Sequence, residues 1–301
     1  MTKSVKTWLM QIRAPFLLLT PVSVLVGVSV AVYEGHNINA LYLALAFAGA
    51  LLSHIGVNVL NEYFDYKSGV DFKTIKTPFS GGTGVLPAGL LNPQSVYLLG
   101  IACIAGIAAI GAYFTYVHSA VIIPLGILGL VIVYFYTTHI TRSPLLCAIA
   151  PGLGFGPLMV MGTYFALTGT YSLAAGLASL IPGLLVSNLL LLNQFPDVEA
   201  DFSVARRHLP IAIGRKRSSL VYAILVMAAY IALIMSVLAN DLPYTALFGL
   251  ITLPLGLIAI KGVRTYYDQI ERLIPVMARN VMLTLLFPLL MAIGIIIGQS
   301  I

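Results

Sequence analysis

Charge is what this chain has least of. Asp, Glu, Lys and Arg make up only 9% of its 301 residues, where a soluble globular domain carries about 25%. Together with a hydrophobic share of 59%, that shortage excludes a water-soluble fold. The chain reads as an all-α, polytopic membrane protein, with residues 1–301 forming one integral membrane domain. Cysteine is also scarce. Cys103 and Cys147 both lie in apolar segments, which excludes a disulfide framework and points to buried packing. No two histidines stand at metal-ligand spacing. His139 and His208 fall in loops and read as solvated, and His54 reads as a hydrogen-bonded structural residue. No cleavable secretory signal is evident either, so the first apolar run is read as a first spanning helix.

A span needs about 20 mostly apolar residues. Nine such runs occur, at roughly 14–33, 40–63, 95–115, 119–136, 145–167, 172–195, 218–239, 243–261 and 280–299. Their connections alternate sharply in charge. Residues 33–39, 116–119, 167–171 and 240–243 contain no Lys or Arg, and all 16 basic residues fall on the other side. An excess of Lys and Arg marks the cytoplasmic face. The sequence therefore places the N-terminus inside and the C-terminus outside the cell membrane. The net charge of +6, which in a soluble chain would suggest nucleic acid, is accounted for by this topology. No nucleic-acid partner is expected.

Two stretches break the apolar pattern, both where a span gives way to a basic loop. The first is Asn61-Glu-Tyr-Phe-Asp65-Tyr-Lys-Ser-Gly-Val-Asp71, after the second span. The other is Asn193-Gln-Phe-Pro-Asp197-Val-Glu-Ala-Asp201, after the sixth. On a continuous helix Asn193, Asp197 and Asp201 would share one face, as would Asn61 and Asp65. Ser68-Gly69 is expected to end the first helix and let Asp71 swing back. Carboxylates at a bilayer edge need cationic compensation. For several carboxylate and amide oxygens the natural compensator is magnesium, which favours a few protein oxygens together with phosphate oxygens. Asn61, Asp65, Asp71, Asn193, Asp197 and Asp201 are thus the candidate metal set, with the four aspartates the candidate catalytic residues. The Gly-rich run after Asp71 carries Lys73 and Lys76 and suits an anion-covering loop, although it lacks a nucleotide-loop signature. A cation-coupled secondary transporter is the alternative. Transporter sites, however, lie near the bilayer midplane on broken helices, and these carboxylates lie at helix ends.

Taken together, these features resemble the UbiA superfamily of intramembrane aromatic prenyltransferases, over nearly the whole chain. They are most similar to the branch that prenylates 1,4-dihydroxy-2-naphthoate on the way to menaquinone. Three features carry this. Asp65 and Asp71 stand six apart, the loop runs Thr77-Pro-Phe-Ser-Gly-Gly-Thr-Gly-Val-Leu-Pro-Ala-Gly89, and the fifth span contains Phe155-Gly-Pro-Leu-Met-Val-Met-Gly-Thr-Tyr164. Trp8 and Arg13-Ala-Pro15 fit the family's opening pattern. Three places depart from the family: Glu62 stands where the first Asp-bearing motif usually has Asp, Pro196 where the naphthoate branch usually has Arg, and Ala205-Arg206-Arg207-His208-Leu209 where Gly-Lys-x-Thr-Leu is usual. The resemblance implies nine helices around a central cavity and transfer of a prenyl group from an isoprenyl diphosphate to a small aromatic acceptor, with two Mg2+ ions assisting. Under it Lys67, Lys73, Arg142 and Arg206 are the expected phosphate contacts. Tyr63, Tyr136 and Tyr164 are the expected aromatic faces for an allylic cation. Asn61, Asn193 and Arg13 complete the substrate-binding set.

Overall fold

In the computed structural model, which describes residues 3–300, every regular element is helical. A short helix, α1 (Lys3–Gln11), precedes the spans. Eight helices are long and apolar enough to cross a membrane: α2 (Ala14–Tyr33), α3 (Ala40–Ser68), α4 (Pro93–Val117), α6 (Pro144–Thr168), α7 (Leu173–Asn193), α10 (Arg215–Leu238), α11 (Tyr244–Tyr266) and α12 (Ile270–Gly298). A shorter apolar helix, α5 (Ala120–Phe135), completes the nine expected spans. Two five-residue helices, α8 (Val198–Phe202) and α9 (Leu209–Ile213), lie in the loop between α7 and α10.

Local chemistry sets the helix starts. The side chains of Asn39, Asn92, Ser143 and Ser172 accept the free backbone N–H groups at the heads of α3, α4, α6 and α7. Pro93 and Pro144 follow directly, where a missing N–H costs nothing. Helix α12 begins ten residues before the expected span. Its first turns carry Arg272 and Arg279, and the Arg272 guanidinium lies 5.8 Å from the Tyr266 ring centre. Hydropathy detects only the part of a helix that crosses lipid, so this protruding start escaped the sequence reading.

The buried hub is α7, which packs against α2, α6, α10 and α12. No hydrophobic force separates helix from lipid inside a bilayer, so close backbone approach through small residues drives such packing. Gly156 on α6 crosses Gly183 on α7. A β-carbon on Gly156 would lie 2.5 Å from the Ser179 carbonyl oxygen and 2.7 Å from Gly183 Cα. Around it, Gly154–Met161 is wound as π-helix with Pro157 inside. The Gly156-Pro157 pair therefore serves a packing bend, as its composition suggests. At the end of the bundle opposite the two Asp-bearing stretches, Glu34 accepts hydrogen bonds from the hydroxyls of Tyr164 and Ser172.

Candidate active site

The two Asp-bearing stretches meet at the basic end of the bundle. Asn61 and Asp65 lie one turn apart on α3. Gly69, in the left-handed region at φ 78°, ends that helix and hydrogen-bonds back to the Tyr66 carbonyl. The chain then turns through Val70–Phe72 and presents Asp71, which is buried. This matches the expected swing of Asp71. A β-carbon on Gly82 would come within 2.8 Å of Asp71 Oδ1, so the loop lies directly against that carboxylate.

The second stretch is not one continuous helix. Helix α7 stops at Asn193, and Asp197 stands at the head of the separate helix α8. Pro196 supplies the reason, having no N–H for a helical bond. The shared helical face expected for Asn193, Asp197 and Asp201 is therefore corrected. The break nonetheless brings all three to one pocket, of about 660 Å3 measured out to its mouth, along with Asn61, Asp65, Asp71 and residues 80–82.

Arginine ties this pocket together. Arg206 donates to Asp65 and, at 2.8 Å, to Asp201 Oδ1, joining the two stretches. His208 lies 3.1 Å from Asp201 Oδ2 and is almost fully buried, contrary to its reading as a solvated loop residue. Burial alone would push the Asp201 carboxyl up. The His208 hydrogen bond and the Arg206 charge outweigh it and hold the carboxyl below its ordinary range. Arg13 donates to Glu62 at 2.6 and 2.9 Å and to Asn61 Oδ1 at 3.3 Å. Glu62, fully buried, also accepts from the Thr83 N–H at 3.0 Å and the Thr83 hydroxyl at 2.7 Å. It thereby fastens the Gly-rich loop over the pocket. In the sequence Glu62 is only a departure from the family pattern, with nothing nearby to mark its partners. Arg13 at φ 54° and Ala205 at φ 62°, next to Arg206, are two of the three non-glycine residues with left-handed backbone among those described. Strained backbone of this kind collects at functional sites, and no sequence signal marks it.

Several expected contacts lie elsewhere. Lys67 is exposed with its ammonium 6.0 Å from the Tyr63 ring centre, and neither residue lines the pocket. Both sit two residues after a pocket-facing side chain on α3, which turns them to the opposite face. Arg142 is exposed at the end of a short turn, and its neighbour Thr141 is the residue that lines the pocket. Lys73 is exposed and bonds Ser203 Oγ at 3.2 Å, linking the Gly-rich loop to the segment after α8. Tyr164 lies some 20 residues along α6 from its basic end, about 30 Å at 1.5 Å per residue. It bonds Glu34 at the far end and leaves Tyr136 as the tyrosine at the site.

Below the polar pocket lies a second, largely apolar cavity of about 930 Å3 measured out to its mouth, walled by α2, α3, α5, α6 and α7. Arg13, Asn61, Phe79, Tyr136, Leu190 and Asn193 line both spaces. The arrangement is a charged chamber opening onto a greasy one.

The sequence model of the UbiA prenyltransferase family matches residues 20–295. The chain belongs to that family. This UbiA-family prenyltransferase is 26% identical over 283 residues to the 1,4-dihydroxy-2-naphthoate octaprenyltransferase of Bacillus subtilis, with 92% of this chain and 88% of the relative covered. Its fold is shared with a UbiA homologue from Aeropyrum pernix, at a TM-score of 0.67 and 17% identity over 94% of this chain and 98% of that one. It is also shared with a UbiA homologue from Archaeoglobus fulgidus solved with GPP and Mg2+. That match has a TM-score of 0.59 and 14% identity over 96% of this chain and 99% of that one.

Proposed function

We propose that this prenyltransferase moves a prenyl group from an isoprenyl diphosphate to a hydroxylated naphthoate-type ring, with the polar pocket holding the diphosphate and the apolar cavity holding tail and ring. One observation carries the reading: a carboxylate- and arginine-lined pocket shares its wall with a largely apolar cavity, the pairing that a ligand with a charged head and an apolar tail requires. The Bacillus relative's name supports the acceptor class. The same wall argues against a transporter, because an ion leaving the polar pocket would meet hydrocarbon.

The donor set fits magnesium. Asp71 Oδ2, Asn193 Oδ1 and Asp197 Oδ1 are buried without a hydrogen-bond partner, which is costly unless a cation completes them. Among the described residues no three His, Cys, Asp or Glu side chains form a ready cage. Magnesium does not require one, because it keeps waters and takes phosphate oxygens. We assign Asn61, Asp65 and Asp71 to one ion and Asn193, Asp197 and Asp201 to a second. When bound, magnesium neutralises charge on the departing diphosphate. The chain's own residues do the rest. Arg206 and Arg13 add fixed positive charge at the pocket. The loop fastened by Glu62 and Thr83 covers the diphosphate and, with the apolar walls, keeps water from an allylic cation. Tyr136, at the boundary of the two spaces, offers its ring to that cation. The pocket is proposed to face the cytoplasm.

Asp71 and Asp197 hold their protons more tightly than free carboxyls do. Burial, then the charge of Asp65, pushes Asp71 up to about 8. Burial, then Asp201, pushes Asp197 up to about 7. A folded pKa above the unfolded value means the metal-free fold binds extra protons, so its stability falls as pH rises from about 4 toward 8. Magnesium reverses the trend by displacing those protons. Adding Mg2+ at pH 6.5 in weak buffer is expected to release protons, read with a pH indicator, and to raise the thermal midpoint more at pH 8 than at pH 5. No proton release would remove Asp71 and Asp197 from the ligand set.

The function itself is tested with radiolabelled isoprenyl diphosphates, purified protein and a panel of hydroxylated naphthoates and benzoates. Prenylated product is expected with Mg2+ and none after thorough chelation. Turnover persisting in excess EDTA would refute the metal assignment, and absence of product from every acceptor would refute prenyl transfer to a ring.

A further inference from the structure

The reaction must dispose of a proton, because the ring loses one as it gains the prenyl group. The charged groups sit in the polar pocket, and among the described residues no Asp or Glu lines the apolar cavity. The cavity's other polar groups are poor proton acceptors. Ser53 Oγ is engaged with the Gly49 carbonyl and Asn58 Nδ2 with the Ile12 carbonyl. Arg13 is a donor only, and Tyr136 is a phenol.

His54 is different. It is 5% exposed and lines the cavity. It stands seven residues before Asn61, on the same face of α3, and about 10 Å deeper in the bilayer at 1.5 Å per residue. Its Nδ1 lies 2.9 Å from Thr20 Oγ1 on α2. Its ring meets Phe155 edge-on, with centres 4.6 Å apart and planes at 86°. Two contacts therefore fix the imidazole in position and rotation. Nε2 has no partner among the described residues, nor does it count among the fully enclosed orphan atoms. Among the described residues it is the one uncommitted base of the cavity.

We propose that His54 is a catalytic residue whose Nε2 accepts a hydrogen bond from a hydroxyl of the aromatic acceptor and takes its proton as the ring attacks. This rests on the prenyl-transfer reading above. The O–H bond breaks and its proton passes to Nε2, while Nδ1–H donates to Thr20 Oγ1. The electron-rich ring carbon then bonds the allylic carbon as the carbon–oxygen bond to the diphosphate breaks, its electron pair leaving with the diphosphate. The resulting dienone gives its ring proton to the departed diphosphate, and His54 returns the first proton to the ring oxygen. No oxidant or reductant is needed. Thr20 is a positioning residue that holds the imidazole by Nδ1.

The experiment compares kcat/KM for a series of hydroxynaphthalene acceptors of graded hydroxyl acidity, in the full-length protein with Mg2+. His54→Ala is expected to lower kcat/KM for the least acidic acceptor by roughly 10²–10⁴, the range of general base catalysis. The loss should shrink steadily as the hydroxyl becomes acidic enough to ionise unaided, and likewise as pH rises. Binding of an isoprenyl thiodiphosphate, which does not react, should stay within about twofold of wild type. Thr20→Val should show the same trend at smaller amplitude, in kcat rather than KM. A loss equal for every acceptor and pH would make His54 structural and overturn the proposal, as would a loss under about threefold. If His54→Ala fails to bind the thiodiphosphate, His54→Gln, which keeps a hydrogen-bonding tip but cannot take the proton, decides by the same acidity trend. Failure of the wild-type protein to prenylate any acceptor would instead refute the underlying function.

Discussion

Asp197→Ala and Asp65→Ala are each expected to lower kcat for prenyl transfer by at least roughly 10³, with both proteins still inserted and folded. The two carboxylates come from different stretches, one on α3 and one at the head of α8. In the proposed site they would hold different ions beside the diphosphate. Removing one leaves charge on the leaving group without its counterpart. Charge stabilisation of this kind contributes several kcal/mol, and about 1.4 kcal/mol is a factor of ten in rate. Asp197 should be the cleaner test, since Asp65 also pairs with Arg206. Steady-state kinetics with radiolabelled donor, beside a thermal-shift check of folding, reads the result. A kcat within tenfold of wild type would remove that residue from the ligand set.

Arg206→Ala is expected to damage stability first and activity with it. Arg206 is largely buried and pairs at once with Asp65 and Asp201. Removing one partner from a buried ion network costs about 3–5 kcal/mol, because the remaining charge stays buried alone. Here two carboxylates would be left, with only His208 as compensation at Asp201. The thermal midpoint of the purified variant should fall by several degrees, and saturating Mg2+ with diphosphate should recover most of that fall by mass action. Turnover should remain at least tenfold below wild type even then. An unchanged midpoint would mean that the Asp65–Arg206–Asp201 contact does not carry the two halves of the site.

Most of the architecture was open to sequence reading because a bilayer reduces the problem to apolar length and loop charge. Every expected span has its helix. The two Asp-bearing stretches meet as expected, because both sit at the same end of their spans. What escaped has physical causes. Lys67 and Arg142 are basic and close in sequence to pocket residues, but a two-residue step on α3 and a one-residue step in a turn point them away. Proximity along the chain is not proximity in space where the backbone rotates by about 100° per residue. His208 looked like a loop histidine, and only the fold shows the chain returning after α8 to bury it against Asp201. Glu62 read as a substitution within a metal motif, whereas its partners Arg13 and Thr83 come from separate segments. The break at Pro196 was legible in principle, since proline cannot continue a helix, but the four-residue spacing of the polar groups outweighed it.

The shared wall between the two chambers has a consequence for engineering. Arg13, Asn61, Phe79, Tyr136, Leu190 and Asn193 touch both spaces, so head-group affinity and tail preference are not independent traits at these positions. Enlarging Phe79 or Leu190 to suit a different chain would also reshape the proposed seat of the phosphates. Modularity begins one layer deeper. Leu19, Phe155, Met159 and Leu189 touch the apolar cavity alone, and under the proposed function substitutions there would retune the length or branching of the accepted hydrocarbon with the leaving group held as before.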